Sequence, residues 1–190
     1  MSNSTTTGRL SRDDWVVAAL KALGECGPAA VAVEPIALSL GATKGSFYWH
    51  FQNRQQLLEA SLDEWERTTT QAVIDEVGQI VDPHERLRAL FARVIRDDKE
   101  MRREGTILAS LSDPIVSIVV RRVTDARLGF LRRAYVDCGH STAVASTRAR
   151  IAYATYVGHI HLAASNPEGL PRTTRGVGRY VDELAATIGS

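Results

Sequence analysis

The feature that most restricts this sequence is a helical spacing of apolar residues along nearly all of its 190 residues. In the first segment, apolar residues recur at three- and four-residue intervals on one helix face: Trp15, Val16, Ala19, Leu20 and Leu23. We find no convincing run of alternating apolar and polar residues bounded by turn residues, the pattern typical of a strand. The sequence therefore predicts an all-α protein of about nine helices.

Residues that favour helix ends set approximate bounds for these helices. Ser11 is placed to cap the first helix, and Gly27-Pro28 ends it. Asn53 with Gln56 forms the pattern of a capping box, and Asp82 precedes a proline at the next helix start. The predicted helices cover about residues 11–26, 33–41, 44–51, 53–78, 83–99, 104–111, 114–138, 142–165 and 174–188. We predict an N-terminal domain over residues 8–53 and a larger helical bundle over 54–190.

Composition excludes few functions but narrows the class of protein. The apolar fraction of 44% and charged fraction of 24% are ordinary for a soluble globular chain. We see neither an apolar run of membrane-spanning length nor a signal peptide, and we expect a cytoplasmic protein. The two cysteines, Cys26 and Cys138, are far apart and predict two buried free thiols rather than a disulfide or zinc pair. The net charge of +1 makes no case for nucleic acid, so that case depends on where the charges lie.

The stretch GATKGSFYWHF, residues 41–51, holds four of the chain's twelve aromatic residues. Two short helices joined here by a glycine-containing turn predict a helix-turn-helix. Phe47 and Phe51 are four residues apart, so they share a helix face and pack inward. Tyr48, Trp49 and His50 then point elsewhere, and in a recognition helix that outer face lies in the major groove. There, Tyr and His donate to phosphates, and Trp or Tyr contacts thymine methyl groups.

From Asp14 to Leu58 the sequence resembles the DNA-binding domain of the TetR family of transcriptional repressors. The matching motifs are Ala18-Ala19-Leu20 with Gly27, Ile36-Ala37 with Gly41, Lys44-Gly45 with Tyr48 and His50-Phe51, and Arg54 with Leu57-Leu58. The resemblance implies that one group of residues contacts DNA: Thr43, Lys44, Gly45, Ser46, Tyr48, Trp49, His50 and Arg54. Ala32 departs from the family pattern, because a Ser or Thr usually stands there to cap the second helix and touch phosphate.

The resemblance also implies that the last two long helices pair with their copies in a four-helix dimer interface. The predicted interface residues are Ala145, Ala149, Ala152, Tyr156, Val177, Val181, Leu184 and Ile188. The alternative is that these residues form the core of a single protomer.

Family members take a small molecule into a pocket of the bundle, which alters the spacing of two DNA heads. The helix starting at Asn53 is the only direct link that this sequence indicates between head and bundle. The pocket candidates are apolar or aromatic residues of the middle helices, and residues of this kind are more often ordinary core than ligand contacts: Trp65, Phe91, Met101, Leu108, Leu111, Ile115, Val119, Tyr153, Tyr156 and His159.

Other chemistries find little support in the sequence. GATKGS lacks the frame of a phosphate-binding loop, and His159 and His161 are two apart on a helix, a poor spacing for metal ligands. We expect the arginines of residues 121–133 to form a solvent-exposed face rather than a nucleic-acid-binding patch. We therefore expect a homodimeric, ligand-responsive repressor that binds operator DNA and a small effector, without metal, cofactor or catalysis. The alternatives are an activator, or a helical protein-interaction or carrier protein without sequence-specific DNA binding.

Overall fold

The computed structural model describes residues 10–95, 98–171 and 173–188, and within these ranges it contains helices and loops but no strand. The fourth helix continues from Arg54–Glu66 through a π-helical turn, Arg67–Gln71, into Ala72–Gly78. Counted as one helix, it brings the described total to nine, which confirms the predicted all-α class. The helices are α1 (Arg12–Cys26), α2 (Val33–Ser39), α3 (Lys44–Phe47), α4 (Arg54–Glu66 through Ala72–Gly78), α5 (Pro83–Ile95), α6 (Asp98–Leu108), α7 (Pro114–Asp137), α8 (Thr142–Ser165) and α9 (Thr174–Ile188).

Side-chain caps begin the helices largely where the sequence places them. Ser11 caps α1, and the Asp82 carboxylate accepts two backbone N–H bonds at the start of α5. Asn53 Oδ1 accepts the Gln56 N–H at 2.9 Å. Gln56 Oε1, however, accepts from the Gln52 N–H at 2.9 Å rather than from Asn53. The predicted capping box is therefore only half formed, although Asn53 does start α4.

Three predicted bounds differ from the structure. The helix predicted over 83–99 ends at Ile95, and the one predicted over 104–111 covers Asp98–Leu108, with residues 96–97 outside the described ranges. Gly105 lies inside α6, where an added Cβ would stand 3.3 Å from Ile160 Cγ2 of α8. This glycine permits a close helix approach rather than marking a helix end. The helix predicted over 44–51 is α-helical only over Lys44–Phe47 and continues as turns.

The turn between α2 and α3 depends on Gly41. Its φ of 62° lies in the left-handed region, which glycine adopts without steric cost. The Gly41 N–H donates to the Leu38 carbonyl at 3.1 Å, and the Ala42 N–H donates to the Ala37 carbonyl at 2.8 Å. This pair of bonds is a Schellman motif, which ends α2 and turns the chain sharply into α3.

The three N-terminal helices, here called the head, share one hydrophobic core with part of the bundle. Phe47 lies at its centre, edge-on to Trp15 with ring centroids 5.5 Å apart and stacked on Phe51 at 5.6 Å. From α4, α6 and α7, this core includes Leu57, Leu58, Leu62, Trp65, Ile107, Val116, Val119, Val120 and Val123. The head is therefore continuous in packing with α6 and α7 as well as with α4.

Helix α1 makes a further close contact with α6. At Gly24 the backbone leaves no room for a Cβ against the Arg103 side chain. The expectation that α4 is the only link between head and bundle is therefore wrong, because the sequence pattern could not show which helix faces meet.

A second core fills the other end of the bundle. It is built from α5, the C-terminal half of α7, α8 and α9: Leu87, Phe91, Ile95, Leu131, Ala134, Tyr135, Ala145, Ala149, Ala152 and Val181. Helix α7 is the element that contributes to both cores, Val123 to the first and Leu131 to the second.

Two sequence-based expectations concern exposure. Among the described residues no helix is both long and apolar enough to cross a lipid bilayer. Cys26 is exposed at the end of α1 and Cys138 is half-buried, so the prediction of two buried thiols is wrong for Cys26.

Replacing Phe47 by alanine should lower the free energy of unfolding by about 3–5 kcal/mol, because it empties the centre of the shared core. Trp49→Ala, two residues away but exposed, should change it by no more than about 0.5 kcal/mol. Urea unfolding followed by circular dichroism measures both. Equal losses in the two variants would show that the inward and outward faces are assigned incorrectly.

Candidate nucleic-acid interface and buried cavity

The segment after the helix turn separates its aromatic side chains onto two faces. Phe47 and Phe51 are buried, whereas Tyr48 is 56% exposed and Trp49 79% exposed. The Phe51 N–H and His50 N–H both donate to the Phe47 carbonyl, at 3.0 and 2.9 Å. A buried phenylalanine pair thus holds the exposed Tyr48 and Trp49, and the half-buried His50, in a fixed position.

The start of α3 is ordered by two hydroxyl side chains. Thr43 Oγ1 accepts the Ser46 N–H at 3.2 Å, and Ser46 Oγ donates to the Thr43 carbonyl at 2.8 Å. Thr43, Lys44 and Gly45 are exposed. The side chains predicted to contact DNA from this segment therefore lie together on an accessible surface, and the contacts themselves stay predictions.

Lys44 is paired with a carboxylate that sequence reasoning did not single out. Its Nζ lies 2.7 Å from Glu34 Oε1, and both side chains are exposed. The hydrogen bond and the charge of Glu34 raise the pKa of Lys44, and the same hydrogen bond and charge of Lys44 lower the pKa of Glu34. Glu34 is in the first turn of α2, so it places a negative charge where a phosphate backbone would approach.

Arg54 has a structural role in addition to the one predicted. Its Nε donates to the Val31 carbonyl at 2.7 Å and its Nη2 donates to the Pro28 carbonyl. The guanidinium thus ties the start of α4 to the connection between α1 and α2. A phosphate contact would use its remaining N–H groups, and it stays a prediction.

Ala32 is the N-cap of α2, and its side chain makes no capping hydrogen bond. This confirms the departure noted in the sequence, since alanine has no acceptor for the free N–H groups of the first turn.

A buried ion pair lies inside the bundle, between α6 and α7. The Arg127 guanidinium contacts both carboxylate oxygens of Glu104, with Nη2 and Oε2 3.2 Å apart and Nη1 bonded to Oε1. The Glu104 side chain is fully buried and that of Arg127 is 12% exposed. The interpretation of this arginine as part of a solvated face is therefore wrong.

The surroundings of Arg127 stabilise its charged form. Burial alone would lower the pKa of Arg127, but the Glu104 carboxylate raises it above its ordinary value. The guanidinium also lies 5.7 Å from the Trp65 ring centroid and 5.6 Å from that of Tyr156. Burial, followed by the charge of Glu104, raises the pKa of the Tyr156 phenol well above its ordinary value.

Arg127 also binds the irregular part of α4. Its Nε donates to Thr70 Oγ1 at 2.9 Å and its Nη2 to Thr69 Oγ1 at 3.3 Å. Thr69 Oγ1 in turn donates to the Trp65 carbonyl at 2.7 Å. Both threonines lie in the π-helical turn, a widened turn that is frequent at functional sites.

Beneath this turn lies a cavity of about 60 Å³. Its walls are mainly apolar, with a polar side formed by the threonines, arginine and tyrosines: Thr69, Thr70, Val73, Ile74, Leu90, Phe91, Val94, Arg127, Phe130, Leu131, Ala152, Tyr153 and Tyr156. Three of the predicted pocket residues, Phe91, Tyr153 and Tyr156, come together here.

The other pocket candidates lie elsewhere. Trp65, Ile115 and Val119 belong to the core shared with the head, and Leu111 is half-exposed. Leu108 lines a wide surface groove beside α1. Met101 and His159 line a larger pocket of about 530 Å³ next to the loop between α8 and α9.

His159 lies in a contact with an aromatic ring rather than in a metal site. It stacks on Tyr180, with ring centroids 5.5 Å apart. Within the part of the chain that the structure describes, no cluster of three or more His, Cys, Asp or Glu side chains could hold a metal ion.

The described residues predicted for a dimer interface pack within one protomer to different degrees. Ala145, Ala149, Ala152 and Val181 are buried in the second core of one protomer. Tyr156 lines the cavity, Val177 and Leu184 pack against the same core, and the Ile188 side chain lies outside the described residues. The prediction is therefore wrong for Ala145, Ala149, Ala152 and Val181, because a three- to four-residue apolar spacing specifies a buried face without specifying which helix covers it. For the half-buried Tyr156, Val177 and Leu184 it stays a prediction.

The ion pair escaped sequence reasoning although its spacing carries a signal. Glu104 is three residues after the buried Met101 and three before the buried Ile107. Arg127 is four residues after Val123 and four before Leu131, both buried. A charge at the position of a buried helical stripe indicates a buried partner.

Arg127→Met should lower the free energy of unfolding by about 3–5 kcal/mol, because Glu104 is left buried without its cation. Replacing both residues by methionine should recover most of that loss, since no uncompensated charge remains. Urea unfolding of wild type, both single variants and the double variant measures the coupling. A single-variant loss of ~1 kcal/mol or less would mean that the pair behaves like a surface ion pair.

Comparison with known proteins agrees with this architecture. Residues 16–61 match the family model described as bacterial regulatory proteins, tetR family. Over 102 residues the chain is 33% identical to the HTH-type transcriptional regulator TtgR of Pseudomonas putida, a match that covers 52% of this chain and 49% of TtgR. The chain thus spans about half the length of the curated relatives it matches.

Solved structures extend the likeness of fold to nearly the whole chain. A transcriptional regulator from Rhodococcus sp. Rha1 has a TM-score of 0.77 at 20% identity, over 94% of this chain and 96% of its own. SmeT, the repressor of the Stenotrophomonas maltophilia multidrug efflux pump SmeDEF, has a TM-score of 0.70 at 24% identity, over 94% and 90%. Residues 16–61 thus match the tetR family of bacterial regulatory proteins, and the chain as a whole shares the fold of these solved regulators.

Proposed function

We propose that this protein is a homodimeric transcriptional repressor that binds a near-palindromic operator and is released from it by a small molecule. The observation that carries the proposal is the exposed Tyr48-Trp49 surface, with the half-buried His50 beside it, held by the buried Phe47 and Phe51 within a segment that matches the tetR family. Large aromatic side chains left exposed beside Thr43 and Lys44 are suited to base edges and phosphates in the major groove. Such a regulator acts in the cytoplasm, where its operator lies.

A dimer is proposed because one short recognition helix reads too few bases for specificity, whereas two read a palindrome. The surface that supports it is an exposed apolar stripe on α8. Val144, Ile151 and Leu162 are each 43–50% exposed and are separated by seven and eleven residues, which places them on one face. At about 100° per residue this face is turned roughly 110° away from the buried Ala145, Ala149 and Ala152, so a second copy would cover it without disturbing the protomer core.

Release of DNA would begin at the cavity beneath the π-helical turn. Thr69, Thr70 and Val73 line that cavity from α4, and the same helix carries Leu57 and Leu58 into the core of the head. A ligand that moves this part of α4 therefore favours one head position over another. A difference in ligand affinity between the two positions is sufficient to release the operator.

The first test is fluorescence anisotropy of the purified protein on duplex DNA from beside its own gene, with a random duplex as control. Tight binding to the first duplex, with a steep salt dependence and two subunits per site, is expected. No binding to either duplex at low salt would contradict the proposal.

Two substitutions at one ion pair should act in opposite directions in this assay. Lys44→Ala should weaken binding to all sequences and reduce the salt slope by about one, because a phosphate contact is lost. Glu34→Gln should tighten binding at low salt, because it removes a negative charge from the DNA-facing side and frees Lys44. Glu183→Gln on α9 is the matched control, with the same change of charge far from the head. Weaker binding by the Glu34 variant would mean that Glu34 positions Lys44 rather than competing with phosphate.

Ile151→Glu should weaken dimerisation by roughly tenfold or more, since it places an unpaired charge in the proposed apolar interface. Ile118→Glu on α7 is the matched control, because Ile118 is also exposed but lies outside the α8 stripe. Sedimentation velocity over a concentration series measures the dissociation. Equal behaviour of the two variants would remove α8 from the interface.

A further inference from the structure

We propose that the cavity beneath the π-helical turn binds an uncharged, mainly apolar small molecule with one hydrogen-bonding group, and that it excludes ions of either sign. The inference rests on the proposed function, in which this molecule is the effector that releases DNA. It concerns the chemical class of the ligand, which follows from how the charges in the cavity wall are already used.

The apolar part of the wall comes mainly from three helices, with Ala152 added by α8. Val73 and Ile74 of α4, Phe91 and Val94 of α5, and Phe130 of α7 supply it. Such a lining gains from burying apolar ligand surface and offers an ion nothing in place of its hydration shell.

The one cation in the wall is not available to an anionic ligand. Both terminal nitrogens of Arg127 contact Glu104, and its Nε donates to Thr70. Glu104 is fully buried, so a ligand carboxylate that displaced it would leave it without a cation in the protein interior. A bound anion would therefore lose its own hydration shell and would also leave the Glu104 carboxylate without its cation.

The Glu104 carboxylate beside the cavity is likewise already paired, with Arg127. A cationic ligand would have to compete with Arg127, which already contacts both oxygens of Glu104 and lies against the rings of Trp65 and Tyr156. The pair presents no net charge, so neither sign of ligand gains a counter-charge.

Neutral hydrogen-bonding groups remain at the polar side of the cavity. The Tyr153 hydroxyl is 3.1 Å from Thr124 Oγ1, and either oxygen can donate or accept. The Thr70 hydroxyl accepts from Arg127 and still has a proton to donate. An uncharged hydroxyl or carbonyl group can join these bonds without breaking the ion pair.

Because the cavity is small, binding of a ring-sized ligand requires its walls to move. At about 60 Å³ it is well below the ~150 Å³ of an apolar cavity that binds benzene. A ring-sized molecule must therefore push the walls apart, and Thr69, Thr70 and Val73 place α4 in those walls. The larger pocket beside Met101 and His159 lacks this restriction on charge, because it is lined by the exposed Arg102.

Three probes with one carbon skeleton separate charge from shape: benzyl alcohol, benzoate and benzylammonium. Isothermal titration calorimetry on the full-length wild-type protein near neutral pH should show benzyl alcohol binding at least roughly tenfold more tightly than either ion. In Glu104→Gln the affinity for benzoate should rise by roughly tenfold or more, because Arg127 is then without its anion, while that for benzylammonium should not rise.

Ala152→Val tests the location, since Ala152 lines the cavity and the added methyl groups fill it. Ala154→Val is the matched control, an exposed position on the same helix. Benzyl alcohol binding should be lost in the first variant and kept in the second. Circular dichroism tests whether each variant is folded. If Glu104→Gln is unfolded, the comparison of the three probes on the wild-type protein still tests the ligand class.

Tighter binding of benzoate or benzylammonium than of benzyl alcohol would overturn the inference. So would benzyl alcohol binding that survives Ala152→Val, because the ligand would then occupy another site. Operator anisotropy on the same samples keeps the two proposals apart. Wild-type protein that binds operator but none of the probes contradicts the ligand class alone, whereas protein that binds the probes but no DNA contradicts the proposed function alone.

Discussion

The buried ion pair between Arg127 and Glu104 lies where the two hydrophobic cores of the molecule meet. Helix α7 places Val123 in one core and Leu131 in the other, with Arg127 between them. Neither charge can be buried without the other, so α6 and α7 must pack in the register that brings them together. The same guanidinium binds the threonines of the π-helical turn, so a single side chain specifies the relative position of α4, α6 and α7.

The continuity of the first core changes how a signal from the bundle can reach the DNA surface. Phe47 packs on Trp15 of α1, and α1 lies against α6 at Gly24 without room for a Cβ. In the proposed mechanism, movement of α4 or α7 around the cavity would be transmitted through close-packed side chains to the base of the recognition segment, rather than through one helix acting as a lever. Because packed interiors resist gradual deformation, a head moved in this way would shift between discrete positions.

At the surface predicted to contact DNA, the head combines a tightly packed support for the aromatic side chains with an exposed ion pair. The buried phenylalanines and the Thr43 cap hold the aromatic surface in place, which lowers the entropic cost of ordering it on DNA. The Glu34–Lys44 pair lies beside it in solvent. An exposed pair of this kind contributes little to stability, and a phosphate group can replace the carboxylate as the partner of Lys44.

Local sequence patterns determined the helices, their caps and the division of residues 47–51 into inward and outward side chains, because these depend on neighbours within about one turn of the chain. The missing cap at Ala32 and the buried role of Phe47 followed in the same way. Which helix faces meet was decided only by the tertiary structure. A stripe such as Val177, Val181 and Leu184 specifies burial without naming its partner, and these residues pack within one protomer. In the sequence, Arg127 is one of several arginines in residues 121–133 and resembles a surface charge. Its partner Glu104 is distant in sequence, and only the folded bundle brings the two charges together.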